Sequence, residues 1–135
     1  MAITLTDQEK ITLRTAAYGA VTLLAAADAA GSPHKIATQG SIALATATGP
    51  VGHILAERTK IENLDGKSTA DIADRVLPAL TETVGVLKKQ DPAEADNFRS
   101  ILTVAIESAT QNRKGQPSPT VAEMTRKINE ALDAG

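Results

Sequence analysis

The sequence predicts an all-α protein: a single domain over residues 1–135, a bundle of five or six helices with helix 1 central. Three observations predict it. Helix start and stop signals punctuate the chain from end to end. Between them, apolar residues recur at the three- and four-residue spacing of amphipathic helices. No stretch shows the sustained alternation, enriched in β-branched and aromatic residues, that marks a strand. A chain of 135 residues is long enough for one real core.

Thr6-Asp7-Gln8-Glu9 has the pattern of a capping box, in which the threonine hydroxyl and the glutamate carboxylate each satisfy a free backbone N–H. Helix 1 is expected to run from there to about Ala30, with Gly31 as a left-handed cap. At about 100° per residue, Leu13, Ala17, Ala20, Val21, Leu24 and Ala25 form a broad apolar arc. Ala16, Leu23 and Ala27 widen it on one side, Ile11 and Tyr18 on the other. Only a narrow strip of Thr12, Thr15, Gly19 and Thr22 remains. A helix apolar most of the way round belongs at the centre of a bundle.

Ser32-Pro33 restarts the chain as a cap followed by a first-turn proline, and helix 2 is expected to reach about Thr48 before Gly49-Pro50. Its aligned Ile36, Gly40, Ala43, Leu44 and Ala47 contain small residues that let two backbones approach closely. A shorter helix is expected over about Val51 to Lys60, then a loop from Asn63 to Lys67 turning at Asp65-Gly66. Helix 4 starts at Ser68 or Thr69 and reaches about Lys89, with Val76, Leu77, Leu80, Val84 and Leu87 on one face. Pro78 inside it predicts a kink, because its ring removes an N–H and crowds the preceding turn. Asp91-Pro92-Ala93-Glu94 opens helix 5, which gathers Ala95, Phe98, Ile101, Leu102, Ala105 and Ala109 and ends near Asn112. After a loop from Lys114 to Pro117, Ser118-Pro119 opens the last helix, ending near Ala134. Val121, Met124, Ile128, Ala131 and Leu132 face inward, and Glu123–Lys127 and Arg126–Glu130 pair on the other side.

The formal net charge of -2 argues against nucleic acid as a partner, since phosphate binding needs a basic surface. No cysteine is present, so there is no disulfide framework, thiolate nucleophile or cysteine metal site. Tyr18 and Phe98 are the only aromatic residues, which leaves little for stacking on bases or sugars. The first residues lack the basic and apolar regions of a signal peptide. The Ala-rich run from Ala16 to Ala30 falls short of the roughly 20 strongly apolar residues needed to cross a bilayer. A cytoplasmic protein with no membrane partner is expected.

Between Thr15 and Ala56 only Asp28 and Lys35 carry full charges, joined by His34 and His53 as the other titratable groups near neutral pH. A neutral stretch of this length is expected to be covered, by the rest of the chain or by a second copy. Helix 1 accounts for part of it. The side of helix 2 with Thr38, Ser41, Ala45 and Thr48 is uncharged without being strongly apolar, and it is the expected interface of a homodimer. Replacing Leu24 or Leu44 by Asp is expected to disrupt that dimer.

Asp28 is the sharpest polar signal, a carboxylate in the apolar arc of helix 1 and in its last turn, where it opposes the helix dipole. It reads either as a ligand-binding acid or as a partner of Lys35, His34 or an arginine from another helix. His34 and His53 complete the candidate ligand-binding set, but their spacing matches no metal motif, and no metal or cofactor is expected. There is no Gly-x-Ser-x-Gly elbow, no glycine-rich phosphate loop and no catalytic cluster, and no motif of a characterised family. The expected function is non-catalytic: a soluble bundle that self-associates and mediates protein–protein interaction. The alternative is a small-ligand or metal-binding protein with a site near Asp28.

Overall fold

A computed structural model describes residues 3–28, 33–57, 68–111 and 119–135, which form six helices. They are α1 (Asp7–Ala27), α2 (Pro33–Ala45), α3 (Gly49–Ala56), α4 (Thr69–Gln90), α5 (Pro92–Gln111) and α6 (Pro119–Ala134). No strand occurs among the described residues. The expected cap at Gly31, the Ser32 and Ser118 caps, the Asp65-Gly66 turn and the loop from Lys114 to Pro117 lie outside the described residues.

Local chemistry sets the helix starts. Thr6 and Glu9 form the full capping box: the Glu9 N–H donates to Thr6 Oγ1 at 3.1 Å, and the Thr6 N–H donates to Glu9 Oε1 at 2.9 Å. The Ser68 hydroxyl accepts from the Asp71 N–H at 3.1 Å, and Asp91 Oδ1 accepts from the Ala93 N–H at 3.1 Å. α4 continues unbroken through Pro78, whose ring is exposed.

Four boundaries differ from expectation: α1 ends at Ala27 instead of about Ala30, α3 ends at Ala56 instead of about Lys60, and the other two meet at the α2–α3 corner. α2 ends at Ala45 instead of near Thr48, and α3 starts at Gly49 instead of Val51. The Gly49-Pro50 pair starts α3, and α2 has already ended four residues before Gly49. Gly49 has φ 81°, a left-handed conformation open to glycine, and Pro50 follows in the first turn of α3. The corner is tight, because a Cβ added at Gly52 would lie 2.4 Å from the Ala47 carbonyl oxygen.

α1 is central, packing against α4, α2, α6, α3 and α5. Leu13, Ala16, Ala17, Ala20, Leu23 and Leu24 are fully buried, and the middle of the polar strip is covered as well: Thr15 is 1% exposed and Gly19 is buried, while Thr12 and Thr22 are half-buried. Thr12 and Thr22 turn their hydroxyls back onto the carbonyls of Gln8 and Tyr18, so neither needs a partner from a neighbouring helix. The core closes around α1 with Leu80, Val84 and Leu87 from α4, Phe98 and Leu102 from α5, Val51 and Leu55 from α3, and Ile128 from α6. At the α1–α2 crossing, Gly40 lies so close to Val21 that an added Cβ would sit 2.7 Å from its nearer methyl. On the outer face of α6, Arg126 bonds both Glu123 and Glu130. This exposed pairing contributes little to stability.

Candidate functional site

α2 and α5 lie side by side in opposite directions, and their outer surfaces enclose an open groove of about 430 Å³. α2 turns Ile36, Gly40 and Leu44 inward toward α1, while α5 buries Phe98, Leu102 and Ala105. What remains between them forms the groove. Its α2 wall is Gln39, Ile42, Ala43 and Thr46, continuing into Ala47 and Thr48 of the corner. Its α5 wall is Asn97, Ser100, Ile101, Val104 and Ser108. None of these side chains is charged. Ile42 and Val104, on opposite walls, are 53% and 54% exposed, and they are the large hydrophobic side chains left open among the described residues.

Side chains of α5 shape one end of the groove. Thr48 caps α3 by position but makes no side-chain hydrogen bond there. Glu94 acts in its place: its Oε1 accepts the Val51 N–H at 3.2 Å, putting a carboxylate at the positive end of α3. Asn97 Nδ2 donates to the Thr48 carbonyl at 3.1 Å and to Glu94 Oε1 at 3.5 Å. A Cβ at Gly49 would lie 2.9 Å from that same Asn97 nitrogen. The α2–α3 corner is thereby pinned to α5, and Thr48 and Asn97 are held as the groove's end wall.

The expected site residues are spread over the molecule. Asp28 is 2% exposed, caps the C-terminus of α1, and its N–H donates to the Leu24 and Ala25 carbonyls. It has a further partner within the fold. His34 and His53 are both exposed. Among the described residues no three histidine, aspartate or glutamate side chains are placed to hold a metal ion. Thr38, Ala45 and Thr48 are exposed and Ser41 is half-buried. Of these four, Thr48 lines the groove; Thr38, Ser41 and Ala45 turn to the neighbouring face of α2.

Leu24 and Leu44 are fully buried within their own chain. Replacing either with Asp therefore tests the core and not an interface, which corrects the use expected of them. Ile42 and Val104 were not singled out by sequence reasoning, although a signal exists: each is a large apolar residue off its helix's inward stripe. Glu94 gave no such signal, because its partner is 43 positions away.

Two other polar features lie inside the bundle. Arg14 is 6% exposed, with its guanidinium 5.7 Å from the Tyr18 ring centroid. The Tyr18 hydroxyl donates to the Leu55 carbonyl at 2.8 Å, tying α1 to α3. Burial pushes the Tyr18 phenol above its ordinary range, and the Arg14 charge partly opposes this. Between α1 and α4 a void of about 10 Å³, lined by Leu5, Thr12 and Thr83 among others, is no larger than a single water needs. No described helix is long and apolar enough to cross a membrane.

No protein-family model, no curated protein and no solved structure matches this chain.

Proposed function

We propose that this chain is a non-catalytic, soluble, cytoplasmic helical bundle that self-associates as a homodimer and serves as a protein-interaction module. One observation carries the reading: Ile42 and Val104, both more than half exposed, stand on opposite walls of one uncharged groove. Exposed apolar side chains gathered on one face, rimmed by polar groups, mark a binding surface. The lining supplies hydroxyls, amides and methyl groups. It holds no histidine, carboxylate or amine that would move a proton, which supports binding over catalysis. The test is the solution mass over a wide concentration range, by sedimentation equilibrium or light scattering. The expected mass rises from the 14.0 kDa of one chain toward twice that value. A single-chain mass at every concentration overturns the reading.

A second reading, a small-ligand or metal site at Asp28, is favoured by the burial of that carboxylate. Its test is thermal unfolding of the wild type and Asp28→Asn with and without divalent cations. A wild-type midpoint that no cation moves removes the metal form of this reading.

A further inference from the structure

We infer that the second copy docks face to face, each copy's α2–α5 groove receiving the Ile42 and Val104 side chains of the other across a two-fold axis. The inference rests on the self-association proposed above and adds where the copies meet and how.

Charge is the first argument. A partner with an acidic or basic face would have to strip water from its charges against a groove that offers no counter-charge. The lining of a second copy's groove brings no charge. Shape is the second argument. A two-fold interface uses one patch twice, so the patch must be complementary to itself. This face carries both halves of the fit: Ile42 and Val104 project, while the small Ala43 and Ala47 with the nearly buried Ile101 leave the hollow between them.

The polar rim gives the third argument. Gln39, Ser100 and Ser108 each both donate and accept hydrogen bonds, so each can pair with its own kind, and Thr46, whose hydroxyl donates to the Ile42 carbonyl, can still accept. A rim of lysines or of carboxylates could not.

Size then sets the strength. α2 is about 20 Å long, and two helices about 10 Å across with axes about 8–10 Å apart span about 20 Å, giving a face on the order of 400 Å² in projection. A standard stable interface takes about 800 Å² from each partner, roughly a ninth of this chain's 7212 Å² surface. The face is smaller than that, so the dimer is reversible and forms as concentration rises.

The absence of cysteine from the sequence makes the geometry directly testable. Thr46→Cys and Ser100→Cys place thiols on the rim and leave both anchors intact. Thr38→Cys and Ala122→Cys place them on exposed positions of the neighbouring face of α2 and of α6. A disulfide forms only between Cα atoms within about 7 Å, so cross-linking reports contact. Under mild oxidation the rim variants, alone or mixed, are expected to yield at least about tenfold more cross-linked dimer than the other two. Ile42→Asp is expected to weaken wild-type association by about tenfold or more in sedimentation. Cross-linking through Thr38→Cys or Ala122→Cys without the rim variants overturns this inference and leaves self-association standing. A dimer in sedimentation that Ile42→Asp does not weaken does the same. A wild type with one-chain mass at all concentrations overturns both.

Discussion

Two regions of this molecule are free of charge for opposite reasons. α1 is nearly neutral from Thr15 onward because it is enclosed: five helices pack round it, and Thr15 and Gly19 of its polar strip are buried. The face made by α2 and α5 is neutral and open, with Ile42 and Val104 each more than half exposed. In the sequence α1 and α2 look alike, as nearly uncharged stretches rich in Ala and Thr, whereas α5 carries Glu94, Asp96, Arg99 and Glu107 and hides its part of the open face. The difference teaches that lack of charge says a surface is dry, or is made to become dry, without saying what dries it. For α1 the chain itself does so. For the α2–α5 face nothing among the described residues does.

Substituting one aspartate in each region separates them most strongly. Leu24→Asp puts a carboxylate where the side chain is fully buried. Lost apolar burial and an uncompensated charge together cost about 5 kcal/mol or more, comparable to the whole stability of a domain this size. The expected outcome is loss of the cooperative helical transition in circular dichroism. Ile42→Asp changes an exposed position, where surface substitutions stay within about 0.5 kcal/mol of neutral. It is expected to keep the wild-type melting midpoint while lowering the solution mass at high concentration. If Ile42→Asp also unfolds the chain, the α2–α5 face is part of the core and the contrast between the regions disappears.

Much of the enclosed region was legible in the sequence. Val121, Met124, Ile128 and Leu132 of α6, and Phe98, Leu102 and Ala105 of α5, are buried as their spacing requires. The arc of α1 foretold a central helix. What stayed illegible depends on tertiary distance. That Gly49-Pro50 opens α3, with α2 already ended at Ala45, belongs to a corner in which Gly52 packs closely on Ala47. Glu94 reads locally as a first-turn carboxylate of its own helix, yet it caps α3 across 43 positions. Arg14 lies at the polar end of the α1 pattern, and only the neighbouring helices make it a buried residue. The open groove was half legible. An uncharged side of α2 was visible, but the face shared with α5 exists only once the two helices lie side by side.

Gly40 marks the border between the regions, since α2 meets α1 there on one side and the groove wall stands on the other. A Cβ at Gly40 would fall 2.7 and 2.8 Å from the two Val21 methyls. Valine in a helix has essentially one rotamer, so it does not swing aside. Overpacking costs about 1–3 kcal/mol, against a helix-propensity gain of up to about 1. Gly40→Ala is therefore expected to lower the urea midpoint, with a net loss of stability of up to about 2 kcal/mol. Gly85 is also mid-helix, in α4, but an added Cβ meets nothing within 4 Å. Gly85→Ala is expected to raise stability by about 0.5–1 kcal/mol. Because the two substitutions are chemically identical, a common sign for both would show that packing on Val21 does not govern the border. Val21→Ala in the Gly40→Ala background should recover part of the loss if it does.

The smallest effect measures how dry the enclosed region is at its edge. Tyr18 is the chain's one tyrosine, no tryptophan is present, and its hydroxyl donates to the Leu55 carbonyl. An ultraviolet titration of the phenol therefore reads a single group. Burial favours the neutral phenol and raises its pKa above the ordinary 10.0, while the nearby Arg14 guanidinium favours the phenolate and lowers it. Burial is the larger influence, so the folded midpoint should lie above that of the urea-unfolded chain. The sign for stability follows from linkage. A group whose pKa is raised on folding contributes fully below its unfolded value, near 10, and loses that contribution as pH rises through the folded value. Wild type should thus lose stability in that alkaline window relative to Tyr18→Phe, which has no phenol to ionise and no bond to Leu55. A folded midpoint at or below the unfolded one would mean that the Arg14 charge outweighs desolvation. The α1–α3 edge would then be wetter than the rest of the enclosed region, closer in character to the α2–α5 face.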